Sequence, residues 1–263
     1  MIGNRGGMLS IFGGAGTPER RPLFLDARFM VYTYASTREA IQEVLPPPLK
    51  AGPRPVVSIV IADFPRWFAL DGENHPYREA FAIVECEFQG TVGTVCPFIY
   101  VGPRGDDFTE GADVAMCMGR EGTGYAKKLA YISIEHTGTE WTATVTRKGQ
   151  KLIDLRATLD GANPTQPPIE MNQGPQFCVK EVISGDYQGR LDLHQVWTTL
   201  PGWDTTPRDL QSGSGTLRLG RIVGDAVDAL AVAEPGSVQM FVTDIWAPPP
   251  TELVADLVRE NLR

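Results

Sequence analysis

The chain has 263 residues, a length that a single all-β domain reaches, and its 42% hydrophobic content is enough for a sizeable core. A net charge of −8 disfavours nucleic acid and anionic membrane surfaces as partners, and no run of about 18 apolar residues predicts a membrane-spanning helix. The four cysteines, Cys86, Cys96, Cys117 and Cys178, lack CxxC spacing and read as buried free thiols rather than a metal knuckle or redox pair.

Residues 1–20 are glycine-rich and read as a flexible leader. Their apolar piece, Met8 to Phe12, is too short for a signal-peptide core. A single domain over 21–263 and a cytoplasmic location are the expectations. Asp26 to Tyr34 is aromatic and β-branched, hence a strand. Ser36 and Glu39 fit a capping box opening a helix over Ala40 to Leu45, which Pro46 to Pro48 ends. Pro55 to Phe64 reads as a buried strand, and Pro65 to Pro76 as a loop carrying Trp67 and Phe68, for which a core position outweighs a pocket-lining one. Ala80 to Gln89 and Thr94 to Val101 predict a hairpin, Thr109 to Glu121 a short helix, and Leu129 to Thr137, Glu140 to Arg147 and Lys151 to Leu159 three consecutive strands.

Asn163 to Gln176, rich in Pro, Asn and Gln, predicts a long loop within the domain. Further strands are expected at Phe177 to Ser184, Arg190 to Thr198, Ser214 to Val223 and Gly236 to Trp246. Leu253, Val254, Leu257 and Val258 share one face of a helix starting at Thr251. The 28 Gly and 21 Pro punctuate many short elements, so the pattern predicts a mainly β fold: an antiparallel β-barrel with a buried cavity and a few peripheral helices.

One segment carries chemistry: Gly119-Arg120-Glu121-Gly122-Thr123-Gly124-Tyr125-Ala126-Lys127-Lys128-Leu129. Two adjacent lysines between a glycine-rich turn and an apolar strand mean little alone. The whole stretch, however, resembles the signature of the acetoacetate decarboxylase family, GRE-x-x-x-[YF]-P-K-K-L, with GRE, Tyr125, both lysines and Leu129 at matching spacing and Ala126 in place of Pro. The resemblance runs from about Leu25 to Leu257 and takes in Tyr77-Arg78-Glu79, Phe177 to Lys180 and Ser214 to Leu219. It implies a mainly β barrel with a buried cavity, a lyase acting on a small keto acid without cofactor or metal, and a homo-oligomer.

By that resemblance Lys127 is the nucleophile and Lys128 its neighbour. A lysine attacks a ketone only as the neutral amine, and with a reference pKa of about 10.4 fewer than roughly one in 10³ lysines is neutral at pH 7. Burial or a neighbouring cation shifts that balance. Successive strand residues point to opposite faces, so Lys128 does not simply share the pocket, and burial is the favoured cause. Glu79 matches a family glutamate near the lysine, as proton donor or as counter-ion to an iminium.

Arg28 is the candidate for the substrate carboxylate, one residue out of register, which leaves open whether it faces the cavity. Arg120, Glu121 and Tyr125 are further substrate-binding candidates, with mutual pairing or helix capping the alternative for the first two. The strand Val56 to Asp63 has no glutamate where the family's decarboxylases carry one. The expected function is therefore decarboxylation of a β-keto acid through an iminium on Lys127. Aldolase–dehydratase chemistry on pyruvate and an aldehyde, or a non-catalytic binding barrel, are the alternatives. His75, His136 and His194 have no metal-ligand spacing, no serine sits in a GxSxG elbow, and Lys127 is not followed by the Ser or Thr of a P-loop.

Overall fold

The computed structural model describes residues 22–69, 72–108, 111–162, 164, 174–186, 188–199, 207–246 and 250–260. The expected leader and most of the expected 163–176 loop lie outside them. The first half contains β1 (Leu23–Ala35), α1 (Arg38–Val44), β2 (Lys50–Ala51), β3 (Val56–Phe64), β4 (Arg66–Phe68), β5 (Tyr77–Phe88), β6 (Thr91–Val95), β7 (Ile99–Pro103), α2 (Ala112–Cys117) and a π-helical turn (Met118–Thr123). Then follow β8 (Lys127–Leu129), β9 (Tyr131–Thr137), β10 (Glu140–Arg147), β11 (Gln150–Thr158), β12 (Gln176–Ile183), β13 (Leu191–Thr199) and β14 (Arg208–Leu219). The chain continues through β15 (Arg221–Ile222), β16 (Asp225–Ala226), a 3₁₀ turn (Val227–Ala229), β17 (Glu234–Trp246), β18 (Pro250–Asp256) and α3 (Leu257–Glu260).

Sixteen strands form one sheet, whose main path runs β18-β13-β12-β6-β5-β3-β1-β17-β14-β11-β10-β9. The ends of this path, β18 and β9, do not pair, so the sheet is not the closed barrel expected. Nor is it purely antiparallel, because β6 with β12 and β7 with β8 are parallel. The β7–β8 connection passes through α2 and the π-helical turn, a crossover of the length that parallel neighbours need.

Closure comes from side chains instead. The sheet curls so that Trp141, Val145, Ile153 and Leu155 of β10 and β11 share one core with Met30, Tyr32, Ile59 and Ile61 of β1 and β3. Alternation along the central strands divides the interior in two. Met30 and Tyr32, Ile59 and Ile61, Ala80 and Ala82 face that core. Phe29 and Val31, Val60 and Ala62, Phe81 and Ile83 face a second one, covered by Ala112 and Ala115 of α2. Burial on both faces explains why β3 reads as a nearly continuous apolar run.

Several boundaries differ from the sequence reading. The α1 cap is Thr37, whose hydroxyl accepts from the Ala40 amide at 3.1 Å, while the Ser36 hydroxyl donates to the Ala231 carbonyl at 2.7 Å. Ser36 is thereby engaged with a distant loop, and the cap lies one residue further along the chain. Part of the Pro65–Pro76 loop is β4, paired with β1 and burying Trp67. Ala130 separates β8 from β9. The expected C-terminal helix is mostly β18, laid along β13, with only Leu257–Glu260 helical. The edge of β13 offers unpaired backbone groups, and tertiary pairing overrides the helical spacing. Leu253 and Val254 accordingly stand exposed. All four cysteines are free, and three are buried, with Cys117 half-buried.

Candidate active site

The second core contains a cavity of about 180 Å³ between the sheet face and the lid formed by α2 and the π-helical turn. Lys127 enters it from β8. This strand lies beside β7 with Ile99 opposite Lys127, and β7 lies beside β5 with Glu79 opposite Val101. The register puts Lys127 and Glu79 on the same sheet face, one strand apart. Their side chains form a buried ion pair, Lys127 Nζ donating to Glu79 Oε1. The amine also lies 5.7 Å from the centre of the Tyr77 ring.

The glycines of the signature have separate local tasks. A methyl group on Gly119 would lie 2.5 Å from Lys127 Cδ and 2.9 Å from Nζ, so a side chain there would displace the lysine from its present position. Gly124 has φ of 85° and turns the chain from the π-helical turn into β8. Thr123 Oγ1 donates to the Gly119 carbonyl at 2.6 Å, and the Tyr125 amide donates to the same carbonyl at 3.0 Å. The turn closes with Ala126 where the family signature has proline: the Lys127 amide reaches the Tyr125 carbonyl at 2.7 Å. A π-helical turn inside a helix is a feature that recurs at functional sites.

Polar groups gather on the lysine side of the cavity. Tyr125 Oη donates to Gln176 Oε1 at 2.7 Å, and Gln176 Nε2 donates to Cys96 Sγ at 3.3 Å. Burial, reinforced by the Glu79 carboxylate, pushes the Tyr77 hydroxyl well above its usual 10. Burial with the nearby Cys178 and Cys96 thiols does the same to Tyr125. Both phenols therefore keep their protons and act as donors. Cys96 is pushed well up, first by burial and then by Cys178, and burial pushes Cys178 up to about 12. Neither thiol is a thiolate at neutral pH, so neither competes with the amine as nucleophile. The remaining walls are largely apolar, with Phe24, Phe29, Phe64, Trp67 and Phe81 their aromatic part and Thr123 and Thr199 the polar exceptions.

Of the residues expected from sequence, Lys127, Glu79 and Tyr125 meet in this cavity. Lys128 points to the opposite face of β8. There Nζ bonds the Gly224 carbonyl at 2.7 Å and Asp225 Oδ1 at 2.6 Å. Asp225 also accepts from Arg147 at 3.1 Å and Tyr100 Oη at 3.0 Å. Burial would raise the Asp225 carboxyl, but hydrogen bonds from Lys128, Tyr100 and Arg147 outweigh it and hold the group below its usual 3.8.

Arg28 does not line the cavity. It is exposed, 6.0 Å over the Trp141 ring, and the cavity side of β1 is taken by its neighbour Phe29. Arg120 and Glu121 are exposed on the outside of the lid, 3.7 Å from one another. Tyr77, Cys96, Gln176 and the aromatic wall were not singled out from the sequence, apart from Trp67, whose pocket-lining alternative holds while it is also buried. For Tyr77 the signal was present: two residues before Glu79 on one strand is the same face.

A cavity-held amine beside a buried carboxylate, on an open mixed sheet with a glycine lid, defines the class. The family model Acetoacetate decarboxylase (ADC) matches residues 12–251, and the chain belongs to that family. The fold agrees. An acetoacetate decarboxylase from Legionella pneumophila superposes with a TM-score of 0.76 at 21% identity, over 93% of this chain and 91% of that one. MppR, an enduracididine biosynthesis enzyme complexed with the condensation product of pyruvate and imidazole 4-carboxaldehyde, gives 0.70 at 20% identity over 92% of each chain. An acetoacetate decarboxylase-like enzyme from Sphingomonas wittichii RW1 gives 0.68 at 15% identity, over 89% and 94%. No curated protein sequence matches the chain. Among the described residues no helix is long and apolar enough to cross a membrane.

Proposed function

We propose that the protein is a Schiff-base lyase that decarboxylates a small β-keto acid on Lys127. The observation that carries this reading is the buried Lys127–Glu79 pair in a cavity whose described lining offers no other cation. Proton transfer from Lys127 to Glu79 gives a neutral amine and a neutral acid without leaving an unpaired charge in the interior. The amine attacks the ketone carbon. One proton from the nitrogen and one from Glu79 convert the carbonyl oxygen to water, which leaves an iminium on Lys127 and a carboxylate on Glu79.

The C–C bond to the substrate carboxylate then breaks. Its electron pair enters the iminium, giving CO₂ and a neutral enamine. One proton from solvent, delivered to carbon, restores the iminium, and water releases the ketone and Lys127. Glu79, which accepts a hydrogen bond from the amine, is the proton carrier beside it.

The missing arginine favours decarboxylation over aldol chemistry. A pyruvate carboxylate must stay bound through condensation and dehydration, whereas a β-keto carboxylate is discarded in the first step. An anion facing aromatic walls is poorly solvated, and its loss as CO₂ relieves that cost.

One observation supports pyruvate aldolase–dehydratase chemistry as a second reading: β3 presents Val60, Ala62 and Phe64 to the cavity side, with no carboxylate there. The test is incubation with acetoacetate or pyruvate, borohydride reduction and peptide mapping. A stable adduct on Lys127 with acetoacetate, together with release of CO₂, is expected. An adduct with pyruvate alone favours the aldolase reading, and no adduct on folded protein with either acid refutes the Schiff-base reading.

A further inference from the structure

Deepening the Schiff-base reading, on which it rests for the position of the carbonyl, we infer that the substrate's non-reacting arm is an aromatic ring or an apolar group of ring size. Three observations carry this. First, the cavity is larger than its polar end requires. At about 180 Å³ it exceeds the roughly 150 Å³ of an engineered apolar cavity that stays dry and takes up benzene.

Second, the walls include Phe24, Phe29, Phe64, Trp67, Phe81 and Met118, and beside the neutral polar Thr123, Gln176 and Thr199 no charged side chain other than Lys127 and Glu79 lines the described cavity. Third, these walls are already braced against one another. Phe24 lies 4.8 Å from Phe64 and 5.8 Å from Trp67, Phe29 lies 5.8 Å from Phe64, and Trp67 meets Tyr77 edge-on at 4.9 Å. Such a packed rim does not collapse to fill the void, so the space persists for a ligand.

The Tyr77 ring is the neighbour shared by both ends of the cavity, its centre 5.7 Å from the Lys127 amine, 4.8 Å from Phe64 and 4.9 Å from Trp67, so a substituent on a ketone carbon bonded to Nζ has the aromatic wall within reach in the same cavity. A methyl group there leaves most of the cavity empty or weakly hydrated. A phenyl group fills it and buries apolar surface from both sides.

The probes are acetone and 4-phenyl-2-butanone, two methyl ketones that differ only in the arm. Two quantities are read on the whole chain: the fraction of Lys127 trapped by borohydride against ketone concentration, and calorimetric binding without borohydride. The phenyl ketone is expected to half-saturate at about a hundredfold lower concentration than acetone, the gain that burial of one phenyl group gives. Ala115→Leu extends a lid side chain that lines the cavity, and is expected to bring the calorimetric affinities of the two ketones to within about tenfold, whereas an undiminished preference for the phenyl ketone would overturn the placement of the arm in this cavity.

Equal half-saturation of the two ketones on the wild-type protein overturns the inference while leaving the Schiff base in place. If neither ketone is trapped, the Schiff-base reading fails and calorimetry decides the arm alone. Tighter binding of the phenyl ketone then sustains it, and equal or absent binding overturns it.

Discussion

Replacing Gly119 by alanine tests whether the lid holds Lys127 in its reactive position. The added Cβ would stand 2.5 Å from Lys127 Cδ and 2.9 Å from Nζ, where ordinary contact begins at 3.4 Å. Backbone strain is not the issue, because Gly119 lies inside the π-helical turn and outside the positive-φ set. The Gly119 carbonyl is held by two donors, Thr123 Oγ1 and the Tyr125 amide. The lysine therefore yields, and its amine moves by about 1 Å, a misplacement that costs on the order of 10²-fold in rate. Overpacking costs about 1–3 kcal/mol of stability, which leaves the protein folded at room temperature. The assay is the rate of borohydride-trapped adduct formation with a saturating methyl ketone, beside circular dichroism and a melting curve. Gly119→Ala is expected to retain its spectrum and lose about two orders of magnitude in trapping rate. Trapping at the wild-type rate would refute the argument that contact with the lid positions the amine.

Lys127→Met removes the nucleophile and strands Glu79 in the interior. Loss of one partner of a buried pair costs about 3–5 kcal/mol, and the Lys127→Met/Glu79→Gln double variant is expected to regain most of it in a denaturant titration. Lys128→Met is expected to leave the trapping rate within about threefold and to lower stability by no more than about 1 kcal/mol, since this side chain is 37% exposed and faces away from the cavity. A large rate loss with unchanged stability would show that its charge acts across the strand. Asp225→Asn tests the anchor. The folded carboxyl sits below 3.8, so its contribution is complete above that value and is lost as pH falls through the depressed one. The melting-temperature gap between wild type and Asp225→Asn is expected to be large at pH 7 and to shrink below pH 4. A gap independent of pH would sink this account.

The extent to which the sequence was readable follows the range of the forces involved. Strand alternation is a local property, and it correctly separated Lys127 from Lys128 and marked Pro55 to Phe64 as buried. Glu79 was found because its neighbours resemble a known stretch, although its partner lies 48 positions away. Arg28 stayed open between the two faces for the reason that makes strands hard to align. One residue of register exchanges it with Phe29, and only the β1–β3 pairing, Arg28 opposite Asp63, decides which faces the cavity. The C-terminal segment failed differently. Its apolar residues satisfy helical and strand spacing alike, and the choice is made by the free edge of β13, which no local pattern contains. The open, mixed sheet was beyond reach for the same reason, since β6–β12 joins segments some 80 residues apart.

The paired lysines thus divide one task by geometry. A strand that sends Lys127 into a cavity must send Lys128 out of it, and the outward residue meets Asp225, itself held by Tyr100 and Arg147. β8 is only three residues long and pairs on one side with β7, so its backbone alone fixes it weakly. The Lys128 contacts with Asp225 and the Gly224 carbonyl tie its outer face to the start of β16 and the turn before it, while Gly119 and the Glu79 carboxylate bear on Lys127 from the inside. The reactive amine is fixed from both sides of a short strand. The second lysine then needs no electrostatic reach through the sheet to matter: it acts by holding in register the residue beside it. That account predicts a graded response inside the roughly threefold range given for Lys128→Met: Lys128→Gln, equally uncharged but able to donate a hydrogen bond toward Asp225, preserves trapping better than Lys128→Met, whereas an effect of charge alone would make the two equal.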